Sequence, residues 1–597
     1  MYTSLFAYFE GIQRGSAGGI MKKKILALFL ALVSIVMMFA GCQENESTEI
    51  NPADYLQIAE NKTTEYKLVS YLSDKKMITN FAKDLLIKTG AKFEQAQEAD
   101  AGEKAIYVGT AEQLAGMGGV STELTYTTYE IKIENDNIYI AIGMEEVAEE
   151  VFELFKKAVT KISDGVFGIE KNIVGVKNVA AISNLVPEFK TTSGKMRELY
   201  DCSRGNYQIS YYALNLKNAD AEVAAYEKSL QDAGYTLHQK NEINASQFFT
   251  YTNGDTMVHC NYFKTMREFR IVYGPKTYLG SATPITDYEK KVTPSISIVG
   301  STDAVLSMVY QAPDGSFVII DGGYGDSKSY DWVINEGTSS EINFRIERDN
   351  EKDMAEMWKL LESLTPAGQK PQVTWMITHA DPDHITFAPV FMKEYKDKFD
   401  LNLVVYNFPD PETVGISNGG TPAKFKSYMD AFINAANNNF PNAEHMIYHT
   451  GQKLYLPGAE IEFLMTPEDY WPNAMPWMNH TSGVWRITSE GKTIMITGDA
   501  EKGLNDQMVT VFGNYLKSDI LQLNHHGSNG ATLNFYKKVQ PTVAFWACMD
   551  IQFEKDLRRL GLVSGFEFNK YIRDTVQDHY SGSNTHTILL PSLEEKK

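Results

Sequence analysis

Cysteine is scarce, with four in 597 residues at Cys42, Cys202, Cys260 and Cys548. So few, so widely spread, exclude a disulfide framework and a cysteine-based zinc ribbon. Positive charge is also short: Lys+Arg 56 stand against Asp+Glu 76, a formal net charge of −20. Long nucleic acids are excluded as a default partner, because their affinity comes mostly from Lys and Arg at phosphates. Neither Gly, at 43, nor Pro, at 20, is in excess, which excludes collagen-like and mainly disordered classes. The apolar run near the N-terminus, Ile25 to Ala40, has 16 residues. That is short of the ~20 a spanning helix needs. What is left is a large acidic globular chain, long enough for two to four domains of ~100–200 residues.

The apolar run has an address written around it. Lys22, Lys23 and Lys24 precede it, and it closes in Phe39-Ala40-Gly41-Cys42 before a polar stretch. A basic stretch followed by a short apolar segment is the pattern of a secretory signal. Small residues directly before a cysteine resemble the bacterial lipoprotein box, which implies lipidation of Cys42; Phe39 stands where that box usually has leucine. Residues 1–20 carry no signal character, so Met21 is read as the start, 21–41 as the signal and 42–53 as a tether. The expected location is outside the cytoplasmic membrane, anchored to it by lipid.

Three blocks follow. Residues 54–185 read as a small α/β domain: Met77, Ile78, Phe81, Leu85 and Leu86 recur at helical spacing after Ser73, a candidate cap, and Glu130–Ile133 with Ile138–Ile142 form a hairpin. Residues 190–285 read as a small α+β domain, with a helix stripe at Val223, Tyr226, Leu230 and Ala233 and strands at 248–252, 257–263 and 269–273. Its His259 and Cys260 are neighbours on a strand and point to opposite faces, so they cannot share an ion. Neither block shows chemistry. Contact with glycan through 54–285 is one use for them.

The third block, 295–595, alternates strands and helices and holds the chemistry. Seven of the eleven histidines lie between 379 and 526. The apolar strand Val373 to Thr378 runs into His379-Ala380-Asp381-Pro382-Asp383-His384, and later strands end in Gly498-Asp499 and Asn524-His525-His526-Gly527-Ser528. Asn479-His480-Thr481-Ser482 precedes another strand. Imidazole and carboxylate ligands without thiolate suit Zn²⁺ best, with Mn²⁺ or Fe as alternatives.

In order and form these elements resemble the metallo-β-lactamase fold over roughly 295–595. The Asp381 variant and the His-His-Gly-Ser motif resemble one subgroup, which contains the hydrolase domain of the competence DNA-uptake channel and surface phosphorylcholine esterases. The fold class implied is α/β, a C-terminal αββα sandwich preceded by the two small domains. The resemblance implies two divalent metal ions. His379, Asp381 and His480 would hold one; Asp383, His384 and His526 would hold the other, with Asp499 bridging. His525 would touch the substrate oxyanion, although the reverse assignment of His525 and His526 stays open. Ile385-Thr386-Phe387 stands where the family's first motif usually has glycines.

Two such metals bring a shared water from a pKa of ~15.7 to ~7 and clamp attacking and leaving oxygens. Asp383, His525 and Asp499 are then the catalytic set, and His525 and Ser528 the substrate contacts. Ser528 reads equally as a phosphate contact or a plain helix cap. Asp321 reads as a carboxylate that orients a metal-bound histidine. His445 and His449 read as structural. His579 and His586 are weaker candidates for reaching the site, and Tyr470, Trp471 and Trp477 as a pocket wall or packing. The expected function is hydrolysis of a phosphoester or phosphodiester in a small or cell-surface substrate, since the acid excess repels a long polyanion. A lactone or amide hydrolase is the alternative chemistry, and a glycan- or cell-wall-binding lipoprotein the alternative class.

Overall fold

Alternation along single strands fixes the layers of the C-terminal half. Met308, Tyr310, Val318, Ile320 and Met376 belong to one buried apolar cluster, while Val309, Phe317, Ile319, Val373 and Trp375 belong to another. Successive side chains on a strand point to opposite faces, so this sheet is covered on both sides. It has seven strands in the order Glu444–Ile447, Asp400–Tyr406, Gln372–Met376, Phe317–Asp321, Ser307–Gln311, Ser295–Ile298 and His586–Leu589. A second seven-stranded sheet runs Lys453–Leu456, Ala459–Met465, Val484–Ser489, Lys492–Ile496, Ile520–Gln522, Val543–Trp546 and Asp578–Ser581. The cluster between the sheets takes Phe463, Trp485, Ile487, Ile494 and Phe545 from the second.

Helices close both outer faces of this mixed α/β structure. Asn350–Leu364, Phe387–Tyr395 and Pro422–Asn439 bury Met357, Leu361, Phe391, Phe425 and Phe432 on the first sheet. Lys502–Phe512 and Leu533–Val539 bury Leu504, Met508, Phe535 and Tyr536 on the second. In each sheet part of the ladder is parallel: Phe317–Asp321 with Gln372–Met376, and Lys492–Ile496 with Ile520–Gln522. Parallel neighbours gather their carboxyl ends on one side, which is where α/β sheets bind ligands.

The computed structural model describes residues 51–597 except 101, 122–123, 125–127, 144, 146–147, 174, 179–185, 193–194, 202–206, 336–340, 412–413, 415–419, 471–476, 528–530, 551–552 and 554–566. Residues 21–41, expected to be a signal, and Cys42, Trp471 and Ser528 therefore lie outside the described residues. Contact density divides the chain into two units at about residue 177.

The first unit carries a six-stranded sheet in the order Glu94–Ala96, Tyr66–Ser70, Lys104–Thr110, Asn137–Ile142, Thr128–Glu134 and Gly175–Asn178. Its helices Lys75–Thr89 and Ala148–Ala158 stack Phe81 on Phe152, with ring centroids 4.2 Å apart. The expected cap Ser73 is displaced by one residue: Asp74 accepts the N–H groups of Lys76 and Met77 at 2.7 and 3.3 Å, while the Ser73 hydroxyl donates to Glu145. Both side chains are good caps, and backbone geometry at Asp74 decides.

The second unit contains the two-sheet structure and a six-stranded antiparallel sheet whose hairpins include Ser246–Asn253, Thr256–Phe263 and Glu268–Pro275. Phe248 and Phe263 from those strands join the apolar cluster under Lys502–Phe512.

Candidate metal centre

The first ligand-type stretch is shaped by proline. Pro382 occupies the first position of the short helix Pro382–Ile385, where its missing N–H costs nothing. Asp383 and His384 are thereby held in one turn directly after the strand Gln372–Met376. The glycines this stretch lacks have counterparts across the contact: a Cβ at Gly325 would lie 2.1 Å from the Thr386 carbonyl oxygen, and one at Gly322 2.7 Å from the Phe387 ring. The loop after Asp321 therefore closes onto the bulky Ile385-Thr386-Phe387.

His525 and His526 both adopt left-handed backbone, at φ 49° and 57°. Such conformations cost about 1–3 kcal/mol each and persist where the surroundings over-determine them. Here the His525 N–H donates to Gly498 O at 3.1 Å, and His526 Nδ1 is 2.7 Å from Ala547 O. In its neutral form a ring that donates from Nδ1 presents Nε2 as its lone-pair nitrogen.

Asp499 is the hub. Its Oδ2 lies 3.4 Å from His384 Nε2, 3.5 Å from His526 Nε2, 3.9 Å from His525 Nε2 and 4.0 Å from His379 Nε2. Asp383 Oδ2 is 3.2 Å from His526 Nε2 and 3.8 Å from His384 Nε2. Two sets of ligand atoms converge, His379 with His384 and Asp499, and Asp383 with His384 and His526. Behind them Asp321 accepts the Thr378 N–H at 2.7 Å and holds His384 Nδ1 at 2.7 Å, which aims His384 Nε2 inward.

Charge balance follows from that geometry. Burial disfavours the charged forms, yet mutual pairing wins. Asp499 is held well below the usual carboxylate range against its burial by His526 and His384. Asp383 falls to about 2 because His384 and His526 outweigh desolvation. In the same way the Asp499 and Asp383 carboxylates lift His526 to about 10 and His384 well above the imidazole range, against burial. His525 goes the other way: burial lowers it more than Asp499 raises it.

Nε2 of His379, His384 and His526, and Oδ1 of Asp499, are buried without a hydrogen-bond partner. Unpaired buried donors and acceptors are costly unless something fills the gap. These point at one another around a shared carboxylate, and imidazole with carboxylate is a donor set that fits divalent cations of the zinc class.

Of the other expected ligands, Asp381 Oδ2 lies 3.5 Å from His379 Nε2, and Asp381 is outside both convergent sets. His480 is also outside them; its Nε2 lies 3.5 Å from Glu501 Oε2. Burial lowers His480 to about 4 and raises Glu501 to about 7. Of the histidine pair, His526 belongs to a convergent set, whereas His525 faces the cavity with Asn479 Nδ2 3.2 Å from its Nε2.

The remaining candidates lie elsewhere. His449 is paired with Glu468 at 2.8 Å, His586 with Glu595 at 2.7 Å, and His579 Nδ1 accepts from Trp546 at 3.1 Å. His445 Nδ1 is 3.4 Å from the Tyr406 hydroxyl. Trp477 is 40% exposed, its ring centroid 5.6 Å from that of His480.

An open cavity of about 220 Å³ lies over the centre, lined in part by Tyr324, Asp383, Lys424, Tyr428, Asn479 and His525. Tyr324, Lys424, Tyr428, Asn479 and Glu501 are residues that reading the sequence missed. Asn479 and Glu501 adjoin motif residues and were within reach of a closer reading. Lys424 and Tyr428 open a helix with no motif of its own.

No family model matches the chain. One relative is the ComE operon protein 3 of Bacillus subtilis (strain 168), 29% identical over 188 residues, or 31% of this chain and 21% of that protein. The chain thus spans about a fifth of that relative's length. Among solved structures, the metallo-beta-lactamase fold protein YhfI from Bacillus subtilis aligns at TM-score 0.29 and 10% identity, over 50% of this chain and 99% of that one. CmlA, a diiron beta-hydroxylase from Streptomyces venezuelae, aligns at TM-score 0.28 and 10% identity, over 53% and 55%. Human tRNase Z, short form, aligns at TM-score 0.23 and 11% identity, over 42% and 91%.

Proposed function

We propose that this chain is a metal-dependent hydrolase that cuts a phosphoester or phosphodiester in a small or cell-surface substrate, outside the cytoplasmic membrane and anchored there through Cys42. The observation that carries the reading is the convergence of three buried Nε2 atoms, none of them hydrogen-bonded, within 4.0 Å of the Asp499 carboxylate beneath an open cavity.

In this reading His379, His384 and Asp499, and Asp383, His384 and His526, would hold the metal ions, while Asp381 and His480 lie beside these sets, at 3.5 Å from His379 Nε2 and from Glu501 respectively. When bound, two divalent cations supply Lewis acidity and acidify a water. The chain's own groups do the rest. Asp321 fixes the His384 ring, and the Ala547 carbonyl fixes the tautomer of His526. Asn479 Nδ2 donates to His525 Nε2, so the neutral ring carries its proton on Nδ1. His525 lines the cavity and is the side chain placed to contact a substrate oxygen. The net charge of −20 and the small cavity favour a compact substrate over a long polyanion.

The test is turnover of bis-p-nitrophenyl phosphate by the purified protein with zinc or manganese, beside Asp383→Asn and His526→Ala. Turnover that depends on both residues is expected. Absence of such turnover with metal bound would sink the reading.

A further inference from the structure

The cavity over the centre is lined by three carboxylates, Asp381, Asp383 and Asp499, and by one described cationic side chain outside the histidines, Lys424. Lys424 is in the first turn of the helix Pro422–Asn439, which begins at the cavity rim next to Gly420. A cation there is opposed by the positive end of the helix dipole, and no acidic residue in that turn offsets it. Two residues further on, Lys426 has a conventional partner in Asp430 at 2.5 Å, one turn along the helix. Lys424 makes no ion pair among the described residues; the Tyr428 ring centroid is 6.0 Å from its Nζ. The helix cap is already supplied by Thr421, whose side chain accepts the Lys424 N–H at 3.3 Å.

We propose that Lys424 sets substrate specificity by charge: its ammonium receives a negatively charged oxygen of the substrate, so that the cavity selects anionic phosphoesters over neutral esters. The proposal rests on the phosphoesterase reading above and deepens it. Two independent features point the same way. The side chain lines the cavity, and its placement on the helix is unfavourable for the helix alone. Aromatic side chains complete the wall: Phe425 packs so closely on Gly420 that a Cβ there would lie 2.3 Å from the ring. An ammonium on a flexible stem acts as a point charge without bidentate geometry, so Arg can replace it for charge recognition. Its effect is screened at high ionic strength because the residue is exposed.

The full-length metal-loaded protein is compared with Lys424→Gln and Lys424→Arg in three measurements. Metal content by mass spectrometry is expected to be equal in all three, because Lys424 is not a ligand. Affinity for inorganic phosphate, read by calorimetry at low salt, is expected to fall about tenfold in Lys424→Gln and to be restored in Lys424→Arg, with the gap closing as salt rises. The ratio of kcat/KM for bis-p-nitrophenyl phosphate to that for neutral p-nitrophenyl acetate is expected to fall about tenfold in Lys424→Gln, mainly through KM. Phosphate binding unchanged in Lys424→Gln with full metal content overturns the proposal. Because phosphate binding needs no turnover, a protein that binds phosphate through Lys424 and cleaves no phosphoester refutes the phosphoesterase reading alone.

Discussion

Among its described residues the second unit buries two clusters of histidine and carboxylate, and in one of them ligand-type atoms converge. At the candidate metal centre buried atoms of His379, His384, His526 and Asp499 that make no hydrogen bond face one another. The other cluster joins the six-stranded sheet to the two-sheet structure. There Asp469 accepts Arg270 Nη1 at 2.5 Å and the Thr466 N–H at 2.9 Å, and Glu468 takes His449 at 2.8 Å and Asn407 at 3.0 Å. His259 uses both ring nitrogens, on Thr250 Oγ1 at 2.9 Å and Thr450 O at 2.8 Å. Among the described residues no three ligand atoms converge in this second cluster. Composition and burial are alike in the two. Each cluster leaves buried atoms without a hydrogen bond, His449 Nε2 and Arg270 Nε in the second; what separates them is that in the first such atoms converge with a shared carboxylate.

Substitutions can break that contrast from either side. Asp499→Asn removes the carboxylate shared by both ligand-type sets. Metal content is expected to fall, with turnover down at least ~10³-fold, about 4 kcal/mol of barrier, while the urea midpoint of the metal-free protein moves little. Arg270→Met inverts this pattern. It leaves Asp469 and Glu268 buried without their cation and is expected to cost about 3 kcal/mol of stability in urea unfolding. Metal content per folded molecule stays at the parent value. Asp321→Asn sharpens the comparison within the centre itself, since Asp321 touches His384 and no cavity atom. A loss of ~10–100-fold in metal affinity is expected, as for other partners that orient a ligand. Equal metal affinity in parent and Asp321→Asn would remove Asp321 from that role.

The centre was legible in sequence where its residues are neighbours in the chain. His379 to His384 and His525-His526 follow apolar strands, and parallel strands gather their ends, so motif and topology mark the same place. The layers were legible for a similar reason, because strands covered on both faces read as continuous apolar runs. Contacts between distant segments were not. Nothing near His259 announces Thr450, 191 residues away, or shows that His480 lies beside Glu501. Lys424 carries no local signature either, since a lysine on a helix is ordinary until its neighbour is a cavity. Ser73 and Asp74 are both competent caps, and only backbone geometry chooses between them.

The smallest expected effect is a slope with pH in the second cluster. Burial pushes His259 down to about 3, helped by the neighbouring His449 and Arg270 and opposed by the Thr450 carbonyl and Glu468. In the unfolded chain an ordinary histidine titrates near ~6.5. The folded value is depressed, so between about 3 and ~6.5 the unfolded state binds the extra proton. The contribution to stability is therefore complete above ~6.5 and declines as pH falls towards 3. Between pH 8 and pH 6 the loss is about 0.8 kcal/mol. Other groups titrate in the same interval, so the measured quantity is the difference in slope between the zinc-loaded parent and His259→Gln, which keeps a donor for Thr450 and carries no titrating proton. The parent is expected to lose about 0.8 kcal/mol more than the variant over that interval. Parallel slopes would mean that His259 already exchanges its proton with solvent in the folded state, and that the second cluster is less closed than its hydrogen bonds imply.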